Sequence, residues 1–232
     1  IAALIIEPIM ANAGLILPKK GYLEYVRKLT AQNNIVLIFD EIITGYRVSI
    51  GGAQQIYNIE PDMTTLGKVL GGGFPIAAFG GKKQIMQNIS PQGKTYQAGT
   101  YNANPLSTTT ANTTLTILEE NQNTIYPQLE KNCQELAKAL KDFSENYHLE
   151  TQVYNIASMF QIFFSSKPVT DMASAKSADT KKFQTYFKEL LKQGVFIPPS
   201  QFECCFISTA HTKEDLQQTI EAFDKALHTV SI

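Results

Sequence analysis

The sequence predicts an α/β fold with a mostly parallel sheet covered by helices, followed by a smaller α/β lobe. Short continuous apolar runs alternate with amphipathic segments of helix length, which is typical of strands buried on both faces. Apolar residues make up 44% and charged residues 18% of the chain, so a buried core is expected. The 232 residues suffice for one large domain or for one and a half smaller ones.

Strands and helices alternate along the first part of the chain. Four short segments are predicted to be strands, at residues 2–6, 36–39, 63–66 and 76–80. Residues 21–33 carry apolar side chains at helical spacing and are predicted to be a helix between the first two strands. This alternation favours parallel pairing.

Longer elements are predicted after Pro105. They are helices at 106–119 and 125–147, strands near 159–164 and 204–208, and helices at 180–193 and 213–229. Residues 167–179 are rich in Ser, Ala and Lys and are predicted to be a surface loop. We therefore predict two domains, with residues 1–130 as part of the large domain and residues 131–232 as a small α/β domain.

Charge and composition argue against several classes of partner. Lys and Arg number 20 against 21 Asp and Glu, and no basic block predicts binding to nucleic acid or to an anionic membrane. The apolar runs are too short to cross a bilayer. The three cysteines include the neighbours Cys204 and Cys205 and do not form a disulfide framework, so reduced thiols in a cytoplasmic protein are expected.

The chain begins with a strand-like apolar run and has neither an initiator Met nor a polar lead-in. A strand without a preceding partner is an unusual beginning for a fold. We therefore expect an N-terminal part of the natural polypeptide to precede this chain.

Two ionisable residues follow neighbouring predicted strands. Asp40 ends the second strand, where open parallel sheets bind ligands. A salt bridge to Arg47 or a cap on a following helix is the alternative. Lys68 lies 28 residues further, after the third strand, and a desolvated lysine amine is a nucleophile. An exposed or anion-binding lysine is the alternative, although a P-loop is excluded because Val69 follows Lys68 and Asp62 replaces its first glycine.

An acid and a lysine at two strand ends suit pyridoxal phosphate. This cofactor is held covalently by a lysine and needs an acid beside its pyridine nitrogen. The carboxylate keeps that nitrogen protonated, so the ring accepts electrons when a proton leaves the substrate carbon.

Two segments resemble motifs of the class III pyridoxal-phosphate-dependent aminotransferases. Residues 39–47 are similar to the cofactor motif and residues 65–75 to the lysine motif. More narrowly, the chain resembles the glutamate-1-semialdehyde 2,1-aminomutase branch of that family. The segments that carry this likeness are Glu7–Pro8 with Asn12 and Gly14, residues 46–54, Tyr96–Thr100 and Pro198–Glu203. The resemblance implies the type I fold of pyridoxal-phosphate-dependent transferases, in which residues 1–130 belong to the large cofactor-binding domain.

The resemblance also implies roles for single residues. Lys68 holds the cofactor and moves protons between the substrate carbon and the cofactor. Asp40 pairs with the pyridine nitrogen, and Ile42 packs against one face of the ring. Thr100, with Gly99, reaches the cofactor phosphate of a neighbouring subunit, so a homodimer is implied.

Two further site residues lie outside these motifs. Asn12 is a candidate partner of the cofactor's phenolic oxygen, with a turn Asn before Gly14 as the alternative. Glu203 resembles the family's substrate-side carboxylate, which favours a small amino-acid substrate and disfavours a second carboxylate on it. A surface Glu is the alternative. No metal is implied.

The function that the resemblance implies is conversion of glutamate-1-semialdehyde to 5-aminolevulinate in tetrapyrrole (porphyrin) biosynthesis, starting from the pyridoxamine 5′-phosphate form of the cofactor. A class III aminotransferase acting between two substrates and a catalytically incompetent fragment are the alternatives. The first of these would use an Arg for the incoming α-carboxylate, and no Arg follows residue 48. The family's N-terminal half would supply the phosphate cradle, the stacking aromatic residue and the gating loop.

Overall fold

The computed structural model describes residues 1–232 and divides into two compact units. The first unit comprises Ile1–Pro8 and Lys19–Gln122, and the second comprises Ile9–Pro18 and Asn123–Ile232. The second unit thus includes a short segment from the beginning of the chain. The domain boundary between residues 130 and 131 stays a prediction.

The first unit contains a four-stranded sheet. Its strands, in both chain order and spatial order, are β1 (Ala3–Ile6), β2 (Val36–Asp40), β3 (Met63–Leu66) and β4 (Ala78–Gly81). β1, β2 and β3 pair in parallel, as predicted, whereas β4 is antiparallel to β3. Residues 67–77 join β3 to β4, and this connection is shorter than a parallel crossover requires.

Five helical segments complete the first unit. They are α1 (Tyr22–Gln32), α2 (Gly52–Tyr57), a 3₁₀ helix (Lys68–Gly71), α3 (Lys83–Met86) and α4 (Pro105–Glu120). Leu23 and Val26 lie one helical turn apart on α1 and pack with Leu37 and Phe39 of β2. This apolar contact covers one face of the sheet and positions the end of β2.

An ion-pair cluster around the buried residue Asp62 links α1, β2 and the residue that follows β4. Asp62 is contacted by Arg27 at 3.0 Å and by Lys82 at 2.6 Å, and its Oδ2 accepts the backbone N–H of Leu37 at 2.8 Å. Partial burial acts to raise the pKa of Asp62, but the hydrogen bonds from Lys82, Leu37 and Arg27 outweigh it and hold the pKa below its ordinary value.

The second unit contains a three-stranded antiparallel sheet of β5 (Thr151–Ile156), β6 (Met159–Phe164) and β7 (Cys205–Phe206). Its helices are α5 (Gln122–Asn146), α6 (Met172–Ser177), α7 (Thr180–Lys192) and α8 (Lys213–Ser231). Every residue of β6 is buried, because α5, α7 and α8 pack on one face while Phe163 packs against Ala13 and Ile16 on the other. The sheet thus has no face in contact with solvent along its middle strand.

Two predictions for the second unit need correction. β5 was not predicted, since its six residues are all half-buried and carry no continuous apolar run. The predicted loop 167–179 contains α6, which begins with a capping box in which Asp171 and Ser174 satisfy each other's backbone N–H groups. None of the helices combines the length and the apolar composition that crossing a bilayer requires. All three cysteines are free and buried.

Candidate active site

Asp40 ends β2 at the carboxyl edge of the parallel strands. Its Oδ1 accepts two hydrogen bonds, from the backbone N–H of Ile42 at 3.0 Å and from the hydroxyl of Thr65 at 3.1 Å. Its Oδ2 accepts none. The alternative of a salt bridge to Arg47 is therefore wrong, and the side chain closes a single turn and not a helix. One carboxylate oxygen is anchored, and the other is open to a ligand.

Lys68 follows β3, the strand next to Asp40. The register places Thr65 opposite Asp40, so Lys68 lies three residues beyond the side chain that contacts Asp40. Its side chain is exposed, and its φ of 46° falls in the left-handed region, at a cost of about 1 kcal/mol for a residue with a Cβ. Such outliers persist where the surrounding structure imposes them and often mark functional sites.

Ile42, in the cofactor motif, contacts the lysine motif. A Cβ built on Gly67 would be 3.5 Å from Cγ2 of Ile42, so this apolar side chain packs over the glycine that precedes Lys68. Ile42 and Thr65 also line a cleft of about 960 Å³, whereas Asp40 and Lys68 do not. The structure thus brings Asp40, Ile42 and Lys68 to one edge of one sheet.

The loop with Gly99 and Thr100 lies beside the same cleft. Gln97 and Tyr101 line it, while Gly99 and Thr100 are exposed between them. The carbonyl of Gly99 accepts the N–H of Asn102 at 3.0 Å, which closes a turn that contains Thr100. Thr100 therefore occupies an exposed position on this turn.

Glu41 is a buried residue of this region to which the sequence analysis assigned no role. Its side chain is 0% exposed and accepts hydrogen bonds from the N–H groups of Ala53 at 2.5 Å and Gln54 at 3.1 Å, at the first turn of α2. The hydroxyl of Thr44 donates a further bond at 3.0 Å. The sequence does contain a signal for this role, namely an acid directly after Asp40 in the cofactor motif, with two glycines further along the chain. Glu41 anchors the turn that follows Asp40.

Asn12 and Glu203 both belong to the second unit, on two segments that meet beside β6. The N–H of Gly14 donates to the carbonyl of Phe202 at 2.7 Å, and the N–H of Glu203 donates to Ser200 at 3.0 Å. Both candidate side chains are exposed. The structure therefore places these two motif segments together within one unit and leaves both side chains at its surface.

A buried glutamine supports the Glu203 turn. Gln161 is 0% exposed, and its Nε2 donates to the carbonyl of Gln201 at 2.9 Å and also to the carbonyl of Glu203. Its Oε1 accepts the N–H of Ile162 at 3.0 Å. Gln161 was not among the predicted site residues, although a lone polar residue in a six-residue apolar strand was an available sequence signal. The side chain acts as a bridge between β6 and residues 201–203.

The donor set at the edge of the first unit's sheet fits pyridoxal phosphate. Asp40 offers an open carboxylate oxygen for a ring nitrogen, Ile42 offers an apolar face, and Lys68 offers an exposed amine at the next strand end. The half-buried carboxylate of Asp40 makes no ion pair within this chain, and a protonated ring nitrogen would supply a cationic partner.

The model of the family "Aminotransferase class-III" matches residues 1–227. A glutamate-1-semialdehyde 2,1-aminomutase from Methanococcus maripaludis strain C7 is 50% identical over 227 residues, which are 98% of this chain and 52% of that relative. This chain spans about half the length of the curated relatives it matches.

Solved structures agree with this match. An omega-transaminase from Sphaerobacter thermophilus is 28% identical and superposes with a TM-score of 0.89 over 98% of this chain and 52% of its own. A transaminase with bound PLP is 26% identical, with a TM-score of 0.85 and the same coverage. The predicted type I fold is thereby confirmed.

Proposed function

This chain belongs to the class III aminotransferases, and from that premise we propose that the whole protein is a glutamate-1-semialdehyde 2,1-aminomutase that uses pyridoxal 5′-phosphate and pyridoxamine 5′-phosphate. The observation that carries the cofactor is Asp40, with one anchored and one open carboxylate oxygen, one strand away from Lys68. The narrower reaction is supported by the 50% identity to a relative of that name and by the absence of Arg after residue 48.

Three residues of the first unit act on the cofactor in this proposal. When bound, the cofactor withdraws electrons from the substrate carbon, so that carbon can release a proton. The amine of Lys68 holds the cofactor and, once freed by substrate, takes and returns that proton. Oδ2 of Asp40 holds the ring nitrogen protonated, and Ile42 supports one face of the ring.

The remaining predicted residues contribute to binding. We assign Thr100 and Gly99 to the cofactor phosphate of a second subunit in a homodimer, because both lie exposed on a closed turn. Glu203 is assigned to the amino group of the substrate, and Asn12 to the phenolic oxygen of the cofactor. We place the protein in the cytoplasm, in tetrapyrrole biosynthesis.

Two measurements on the whole protein test the proposal. In protein first loaded with pyridoxal 5′-phosphate, borohydride reduction makes the bond between cofactor and lysine permanent. The intact mass should then increase by one cofactor in the wild type and in Lys83→Ala, an exposed-lysine control, but not in Lys68→Ala. Incubation with glutamate-1-semialdehyde alone should yield 5-aminolevulinate.

The outcomes separate the alternatives. Product that forms only when a second amino acid is added would show an aminotransferase acting between two substrates and would refute the aminomutase. A reduced mass that stays unchanged in the wild type would refute the cofactor assignment itself.

A further inference from the structure

The hydroxyl of Thr65 is the only side-chain group that holds the carboxylate of Asp40 in the described structure. It donates to Oδ1 at 3.1 Å from the neighbouring strand, while the other donor is the backbone N–H of Ile42 at 3.0 Å. We propose that Thr65 is a positioning residue that aims the open Oδ2 of Asp40 at the cofactor's ring nitrogen. This inference rests on the cofactor assignment in the proposed function.

Two anchors on one oxygen restrict the rotation of the carboxylate. The torsion between Cβ and Cγ of an aspartate is broad and nearly two-fold, so a single donor leaves the plane of the carboxylate free to swing. The N–H of Ile42 approaches from the turn after β2, and the Thr65 hydroxyl approaches from β3. Together they define the plane and therefore the direction of Oδ2.

A fixed Oδ2 has a chemical consequence. Charge-assisted hydrogen bonds are strong and directional, and a carboxylate already in place needs no reorganisation when the ring nitrogen is protonated. With a loosely held carboxylate, the nitrogen spends more time unprotonated. The ring then withdraws electrons less well, and proton transfer from the substrate carbon slows.

The positioning role of the Thr65 hydroxyl can be tested separately from the contribution of the Thr65 backbone to the sheet. The pairing of β2 with β3 at this point uses the backbone, since the N–H of Glu41 donates to the carbonyl of Thr65 at 3.0 Å. Removal of the hydroxyl alone therefore leaves the ladder intact. Thr64, on the same strand, offers a matched control because its hydroxyl contacts Gln54 at 3.3 Å and not Asp40.

The experiment uses the whole protein loaded with pyridoxal phosphate that carries ¹⁵N in its ring. In Thr65→Val, the ¹⁵N resonance should move towards that of unprotonated pyridine, and the rate of amino transfer should fall about tenfold, the effect of one hydrogen bond to a charged group. In Thr65→Ser and Thr64→Val, the resonance should stay at the wild-type position and the rate within about twofold of the wild type.

The ¹⁵N resonance, the bound cofactor and the reaction product together distinguish the ways in which the proposal could fail. A wild-type resonance in Thr65→Val would overturn the positioning role while leaving the cofactor site in place. A wild type without bound cofactor would overturn both the site and this role. A correctly shifted resonance in a protein that does not produce 5-aminolevulinate would overturn only the proposed reaction. Should Thr65→Val fail to fold, as judged by circular dichroism, Thr65→Ala removes the same hydroxyl with less added bulk and gives the same test.

Discussion

The buried side chain of Gln161 offers the sharpest test of how the second unit is held together. It makes three hydrogen bonds from within an apolar strand, to the carbonyls of Gln201 and Glu203 and from the N–H of Ile162. Gln161→Leu replaces the carboxamide with an apolar group of similar size, so it removes all three bonds with little change in packing. We expect the variant to fold but to be clearly less stable.

The magnitude follows from the groups left without partners. The Ile162 N–H and the Gln201 carbonyl belong to residues at most 2% exposed, and each buried group without a partner costs about 1–3 kcal/mol. Glu203 is exposed, so its carbonyl can bind water at little cost. The free energy of unfolding of this unit should therefore fall by about 3 kcal/mol.

Urea unfolding followed by circular dichroism measures the change. Gln152→Leu is the matched control, since Gln152 is half-buried on the same sheet and makes one bond of 3.4 Å to Ser165. It should change the free energy of unfolding by less than about 1 kcal/mol. Equal effects of the two substitutions would refute the bridging role of Gln161. If Glu203 binds substrate, Gln161→Leu should also raise KM without loss of cofactor uptake.

Two further predictions concern the first unit. Gly52→Ala should lower the free energy of unfolding by about 2–4 kcal/mol, because φ is +69° and the new Cβ would be 2.1 Å from Oε2 of Glu41. The control is Gly80→Ala, where a new Cβ meets nothing within 4 Å. Equal urea midpoints for the two variants would contradict this prediction. The folded-state pKa of Asp62 lies below its unfolded value, so its stabilisation is present above about pH 4 and is lost as pH falls through the folded pKa. Asp62→Asn should therefore be less stable at pH 7 and should show a flatter decline in urea midpoint between pH 5 and pH 2; parallel profiles would contradict this.

Much of the first unit could be predicted because its signals are local. The apolar run of β2 is continuous, β3 is a short segment rich in β-branched threonine, and the pattern of Leu23 and Val26 on α1 is helical, so each element carries its own signature. Once these elements alternate, parallel pairing and the position of Asp40 and Lys68 at neighbouring strand ends follow from connectivity.

Elements that depend on their neighbours could not be predicted in this way. β5 is a strand because it pairs along its full length with β6, and its own residues carry no strong signal. β4 turns antiparallel because the connection from β3 is short. The hydrogen bond between Thr65 and Asp40 requires the exact register of two strands, which a one-residue slip would abolish.

Residue types and spacing along the chain therefore determined the class of fold, the family motifs and the acid–lysine pair. Tertiary structure alone decided which oxygen of Asp40 is anchored, which turn Gln161 supports and which motif segments share a unit. The physical reason is how far apart along the chain the interacting groups lie. Periodicity and motif spacing are properties of adjacent residues, whereas the direction of a carboxylate or the partner of a buried amide depends on groups that folding brings together from distant positions.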